Sequence, residues 1–152
     1  MNVEHILKNK NAGNYIAEAN DSLADAIKTM AANRIGSLIV LKNGQPDGIV
    51  TERDVMYAAA EHSNKMFALK VAEVMSSHLI TCNLESTLDH AMEMMINNET
   101  EHRIRHLPVV DNEGQFAGII SMSDVVSALL TKTEFENKLL MNYIKNWPDA
   151  EA

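Results

Sequence analysis

Apolar and polar positions along the chain switch between two spacings, and they do so twice in the same order. Leu23, Ala26, Ile27 and Met30 recur at three- and four-residue steps, the spacing of one helix face, with Asp21 or Ser22 available as its cap. Asn33 and Gly36 end that pattern. Ser37-Leu38-Ile39-Val40-Leu41 is a short, nearly continuous apolar run, which predicts a buried strand. Asn43-Gly44 is a hairpin-turn pair, and Gly48-Ile49-Val50 is the returning strand. Val55, Met56 and Ala59 then resume helical spacing to about residue 60. With Tyr15-Ile16-Ala17 as a short extended lead-in, the unit reads β-α-β-β-α.

The second pass begins at Leu79-Ile80-Thr81-Cys82. Ser86 with Asp89 predicts a cap for a helix carrying Leu88, Ala91, Met92, Met95 and Ile96. Residues 104–110 read as the middle strand, Asn112-Glu113-Gly114 as the turn, and Gly118-Ile119-Ile120 as the last strand. Val125, Val126, Leu129 and Leu130 place a closing helix at about residues 123–130. The stretch from Leu88 to Ile104 is four residues longer than that from Leu23 to Ile35, so the Asn97-Asn98-Glu99-Thr100 region predicts a longer helix or an added loop.

An internal repeat governs the choice of fold, because each unit leaves a sheet face that only its partner covers. The expected architecture is mixed α/β (α+β): one domain over residues 1–152, with units at 1–60 and 71–131 and a polar connector at 61–70. Val71 to Met75 reads as a short apolar turn, and Val3, Ile6 and Leu7 as one or two helical turns ended by Gly13-Asn14. A tail helix is expected over 132–147, where Phe135, Leu139, Leu140, Tyr143, Ile144 and Trp147 fall on one side and Pro148 stops the pattern. So apolar a stripe needs cover, from its own domain or from a second subunit.

The chain has 152 residues, 46% of them hydrophobic, and a formal net charge of −8. That charge argues against a general nucleic-acid or anionic-membrane surface. A single cysteine, Cys82, permits no intrachain disulfide. No run reaches membrane-spanning length and the first residues lack a signal-peptide core, so a soluble cytoplasmic protein is expected.

Candidate chemistry lies in Gly48-Ile49-Val50-Thr51-Glu52-Arg53-Asp54 and its second copy, Gly118-Ile119-Ile120-Ser121-Met122-Ser123-Asp124. A hydroxyl followed three residues later by an acid is a capping box and can exist only to start a helix. The same residues at a helix N-terminus can also hold a phosphate, with the aspartate accepting from a ribose diol. Arg53 lies within the first copy and suits a phosphate contact. His102-Arg103-Ile104-Arg105-His106 is a basic cluster: either a solvated run or a phosphate clamp built on a strand. His102 and His106 have helical metal-pair spacing but sit on a strand pattern, which disfavours a metal site. No nucleophile elbow or glycine-rich phosphate loop is present, so no enzyme is expected. The ten methionines fall largely on apolar stripes.

These two motif copies, together with Ile35-Gly36-Ser37-Leu38-Ile39-Val40 and Ile104-Arg105-His106-Leu107-Pro108-Val109-Val110-Asp111, resemble CBS (cystathionine β-synthase) domains. The chain looks like a stand-alone CBS pair, or Bateman module, over roughly residues 15–130. The resemblance implies a pseudo-twofold pair with two clefts that take adenosine ligands: AMP foremost, with ADP, ATP, NAD(H) or S-adenosylmethionine as other members' ligands. It implies Asp54 and Asp124 on ribose, Thr51 and Ser121 near phosphate, and an adenine slot lined by Ile16 and Thr81 with Ser37, Ile104, Arg105 and His106 at the middle strands. Two departures stand out: Ile16 where many members carry threonine, and Leu84 at a common proline. The cleft of Ser121 and Asp124 is expected to be the better one, with Thr81 supplying a hydroxyl, Ile104 covering the base and Arg53 reaching across to the phosphate. The implied function is an adenine-nucleotide sensor acting through conformation or partner binding. The alternative is an oligomerisation scaffold with vestigial clefts. A homodimer and a separate regulated protein are the expected partners, without nucleic acid or membrane.

Overall fold

The computed structural model describes residues 1–10, 15–98 and 104–146. In chain order the elements are α1 (Val3–Asn9), β1 (Ile16–Ala17), α2 (Leu23–Asn33), β2 (Ser37–Lys42), β3 (Gln45–Thr51), α3 (Glu52–His62), a 3₁₀ segment (Ser63–Ala68), α4 (Val71–Val74), β4 (Cys82–Asn83), α5 (Leu88–Ile96), β5 (His106–Val110), β6 (Phe116–Ser121) and α6 (Met122–Lys145). Two three-stranded sheets result, ordered β1-β2-β3 and β4-β5-β6. In each, a short first strand runs parallel to the middle strand, and the hairpin partner runs antiparallel. The first hairpin turns at Asn43 and Gly44, both at positive φ (55° and 78°), which a two-residue turn between right-twisted strands requires.

Register makes the duplication explicit. Ser37 lies opposite Thr51 and Val40 opposite Gly48, while His106 lies opposite Ser121 and Val109 opposite Gly118. Each ladder shifts register directly after that valine. Ser37 therefore corresponds to His106 and Gly36 to Arg105. Ala17 pairs with Val40 as Cys82 pairs with Val109, so Ile16 corresponds to Thr81 and Tyr15 to Ile80. A carbonyl just before each middle strand receives the first N–H of the closing helix: Glu52 N donates to Gly36 O at 3.1 Å, and Met122 N to Arg105 O at 2.8 Å. Ile39, Ile49 and Ile119 are buried together between the sheets, with Tyr15, Leu79 and Phe116 packed on them.

The lead-in helices are exchanged between the units. Val3 and Ile6 of α1 are buried with Leu88, Ala91, Leu107 and Val125 of the second unit. Val3 N donates to Ser86 O and Glu4 N to Leu84 O, at 2.9 and 3.0 Å. Reciprocally, Met66 and Val71 are buried with Leu23, Leu38 and Val50 of the first unit. Leu23 N donates to Leu69 O at 2.7 Å and Val71 N to Asp21 O at 2.8 Å. Both motif glycines serve this exchange. A Cβ on Gly48 would overlap the thioether of Met75, and one on Gly118 would come within 2.8 Å of Leu7 Cδ2. The segment 1–10, counted with the first unit by sequence order, thus packs on the second.

Several boundaries differ from the sequence expectation. The closing helix and the tail helix are one element: α6 runs 24 residues without a break, about 36 Å. Its sequence from 130 to 133 contains no glycine or proline to interrupt it. Thr87, not Ser86, caps α5, its Oγ1 accepting from His90 N at 3.1 Å; the Ser86 hydroxyl instead accepts from Asn83 N. Helix α5 has nine residues against eleven in α2, so the extra residues do not lengthen it; Glu99 and Thr100 lie outside the described residues. The connector at 61–70 is largely helical, because α3 continues to His62 and the 3₁₀ segment follows. The middle strand of the second unit starts at His106 rather than Ile104.

The described part of the tail leaves most of its large apolar side chains exposed. Phe135, Leu139, Leu140, Tyr143 and Ile144 are each more than half exposed, as are Leu130 of α6 and Met56 and Tyr57 of α3. Trp147 lies outside the described residues.

Candidate functional site: a cleft between the repeats

Each motif folds as a full capping box. Asp54 N donates to the Thr51 hydroxyl at 3.3 Å, while Asp54 Oδ2 accepts from Thr51 N at 2.9 Å and from the Thr51 hydroxyl at 3.0 Å. Ser121 and Asp124 repeat the first two of these bonds at 3.1 and 2.8 Å. The box sets each aspartate at the third residue of its helix, where it faces the strand that precedes it.

A cavity of about 600 Å³ opens beside the first box. Its floor and one wall come from the first unit: Gly36, Ile49, Thr51, Glu52, Arg53 and Asp54, with Met56 and Tyr57. The facing wall belongs to the second unit: Ser76, His78, Leu79, Ile80, Ile104, Arg105, His106 and Pro108. Two acidic residues, Glu52 and Asp54, thus share a space with the hydroxyl residues Thr51, Tyr57 and Ser76, with Arg53, Arg105, His78 and His106, and with an apolar slot of Ile49, Leu79, Ile80 and Ile104. That combination suits a flat apolar base carrying a polyol and an anion.

The sequence expectation paired the wrong halves. It joined Ile104, Arg105 and His106 to Ser121 and Asp124; the structure brings them to Thr51, Arg53 and Asp54. The physical reason is the twofold packing of the sheets. The start of β5 in the second unit faces the start of α3 in the first, so each cleft takes its carboxylate from one unit and its slot from the other. Arg53 does reach the slot of the second unit, but the aspartate beside it is Asp54. Thr81 lies between Ile80, which lines the cavity, and buried Cys82, and does not line it. Ser37 is buried opposite Thr51 in the ladder. Ile16, 45% exposed, lines a separate pocket with Ala17, Glu18, Ala19, Asn20 and Leu41. His102 and Arg103 of the basic cluster lie outside the described residues.

His106 stands where the clefts meet. Its ring comes within 3.1 Å of a Cβ built on Gly36. Burial holds its pKa below the usual histidine range; Glu52 and Asp124 pull it up, while Lys10 and Arg105 push it down. Burial also raises the Cys82 thiol to about 11, with a backbone hydrogen bond opposing.

The second aspartate has an additional partner that no sequence motif announces. Lys10 Nζ donates to Asp124 Oδ2 at 2.8 Å and to Ile119 O at 3.0 Å, and it lies 5.1 Å from the centroid of the Tyr15 ring. Burial pushes the Asp124 carboxyl up, but the Lys10 ammonium and the Ser121 N–H outweigh it and hold the group below its ordinary value. Among the described residues no cation lies within ion-pair distance of Asp54, and no His, Cys, Asp and Glu grouping could hold a metal ion.

Paired β-α-β-β-α units with a capping-box aspartate at the start of each closing helix define a tandem CBS protein. The family model for the CBS domain matches residues 14–61 and again 71–131, and the chain belongs to this family. It is 34% identical over 130 residues to "CBS domain-containing protein CBSX3, mitochondrial" of Arabidopsis thaliana, covering 82% of this chain and 61% of that protein. The CBS-domain containing protein ATU1752 of Agrobacterium tumefaciens superposes with a TM-score of 0.75 at 35% identity, over 84% of this chain and 98% of that one. The CBS domain pair of protein MJ0100, solved with 5′-methylthioadenosine and S-adenosyl-L-methionine, superposes with a TM-score of 0.70 at 25% identity, over 87% and 98% of the two chains.

Proposed function

We propose that this chain is a regulatory module that binds an adenine nucleotide, AMP or a close analogue, in the cleft of Thr51 and Asp54. One observation carries the proposal: the cavity gathers the Asp54 carboxylate, the Arg53 and Arg105 guanidinium groups and the apolar side chains of Leu79, Ile80 and Ile104. Asp54 would accept from the ribose hydroxyls. Arg53, Arg105, His106 and the N-terminus of α3 would hold the phosphate, and Ile80 and Ile104 would cover the base. The adenosyl ligands of the MJ0100 pair support the same choice of ligand class. By register, the second cleft is composed of Ser121 and Asp124 with Tyr15, Ile35, Gly36 and Ser37.

The output of such a module is a change of shape or of partner affinity, and the exposed apolar face of α6 with Met56 and Tyr57 of α3 is the surface for a second copy. That face also supports a second reading, in which assembly is the whole function and the clefts stay empty. Calorimetry with AMP, ADP, ATP and NADH, alongside GMP, separates the two. The expected result is saturable binding of an adenine nucleotide and a rise in melting temperature; a ligand at a hundred times its Kd adds about 2.7 kcal/mol of stability. Failure of all the adenine nucleotides to bind at millimolar concentration would leave the scaffold.

A further inference from the structure

We propose that Lys10 decides which cleft a nucleotide enters, by occupying the ribose-binding carboxylate of the second one. The two clefts are related by register, yet their carboxylates are differently engaged. Among the described residues, Asp54 bonds only within its own capping box. Asp124 bonds its box and also Lys10, whose ammonium is fixed at three points: the Asp124 carboxylate, the Ile119 carbonyl and the face of Tyr15. Each of these has a counterpart at the first cleft. Tyr15 corresponds to Ile80, which lines the open cavity, and Ile119 corresponds to Ile49, whose carbonyl accepts from the backbone N–H of Ser76 at 2.9 Å. A backbone group thus closes the strand edge at the first cleft, and among the described residues no side-chain cation pairs with its aspartate. At the second, a side-chain cation performs the closure and takes the aspartate with it.

The ion pair is sheltered: the Lys10 and Asp124 side chains are 23% and 25% exposed. Lys10 is held in place by α1, which Val3 and Ile6 anchor in the core of the second unit, and Leu7 seats α1 on Gly118. A ribose diol donates two hydrogen bonds to its carboxylate, and at Asp124 it would first have to displace an ammonium already bonded there. Binding in the second cleft therefore carries a penalty that the first does not, and the chain takes one nucleotide at concentrations where a symmetrical pair would take two.

This inference rests on the adenosine reading of the clefts, and the experiment distinguishes the two. AMP is titrated calorimetrically into the full-length protein, Lys10→Met, Lys10→Arg, and Asp54→Ala with and without Lys10→Met. Lys10→Met keeps the aliphatic stem and removes the charge; Lys10→Arg keeps the charge and serves as the rescue variant. The expected stoichiometries are one AMP per chain for the native protein and Lys10→Arg, and two for Lys10→Met. Asp54→Ala alone should lose tight binding, and adding Lys10→Met should restore one site. A carboxyl NMR titration, independent of ligand, should show Asp124 moving to a higher pKa in Lys10→Met. Two equal sites in the native protein, or one site that persists in Lys10→Met, would overturn the role of Lys10 and leave the adenosine reading intact. So would weaker binding in Lys10→Met, since Lys10 would then be a ligand contact. No AMP binding by any variant would overturn the adenosine reading and this inference with it.

Discussion

Asp54→Ala separates two tasks carried by one carboxylate. In the unliganded protein Asp54 Oδ2 accepts from the backbone N–H and the hydroxyl of Thr51, at 2.9 and 3.0 Å. Losing that half of the capping box should cost about 1 kcal/mol, since the Thr51 cap of α3 is weakened rather than removed. For a domain of this size the loss should lower Tm by about 2–4 °C. The ligand effect should be larger. A hydrogen bond to a charged group is worth about 1.5–3 kcal/mol, so AMP affinity should fall about 10- to 150-fold. Denaturant unfolding measures the first quantity and calorimetry the second. Asp124→Ala is the control: Asp124 does not line the first cavity and acts on it only through its coulombic pull on His106, so AMP affinity there should change far less than in Asp54→Ala. A folded Asp54→Ala protein with native affinity, or an Asp124→Ala protein that has lost AMP, would show that the ligand sits against the other aspartate.

Three further outcomes are expected. Arg53→Ala should weaken AMP about tenfold or more while sparing adenosine, because only the phosphate contact is lost; equal losses for both ligands in calorimetry would refute the assignment. A chain ending at Thr131 keeps the buried Val125 but loses Phe135, Leu139, Leu140, Tyr143 and Ile144, and light scattering should find the full chain dimeric and the shortened one dissociated; an unchanged assembly state would remove the tail from the interface. The Cys82 thiol, raised from 9.0 to about 11 in the folded protein, contributes stability that is complete below pH 9 and lost as pH climbs through 11, at most roughly 2–3 kcal/mol; a Cys82→Ala protein should lack that alkaline slope in denaturant titrations.

Local signals in the chain specified most of the elements. Asn43-Gly44, the Thr51–Asp54 and Ser121–Asp124 boxes and the apolar stripe of α2 each act within a few residues, and each stands where the pattern placed it. The register of the two hairpins followed from their turns. Relations between units were not legible. Nothing in Ile104 or Arg105 says which aspartate they face, because that depends on how two sheets pack, and periodicity within either strand is indifferent to it. Lys10 was hidden for the same reason: a lysine at the end of a short polar helix has no motif, and its partner lies 114 positions away. Two clues to α1 were present, the spacing of Val3, Ile6 and Leu7 and the motif glycine at 118, whose need for space is explained only once Leu7 is seen against it.

The exchange of α1 and α4 constrains the order in which the protein can be made. During synthesis α1 leaves the ribosome well before the surface that receives Val3, which includes Leu107 and Val125. The first sheet emerges early but lacks Met66 and Val71, the side chains that cover Leu38 and Val50, until the connector has followed. The first half can therefore close only once the connector has followed it, and α1 finds its seat only when the second half has been made. A nascent chain stalled near residue 62 would carry one helix without a seat and one sheet without a cover. Two such fragments could each supply what the other lacks, which is the route to swapped dimers.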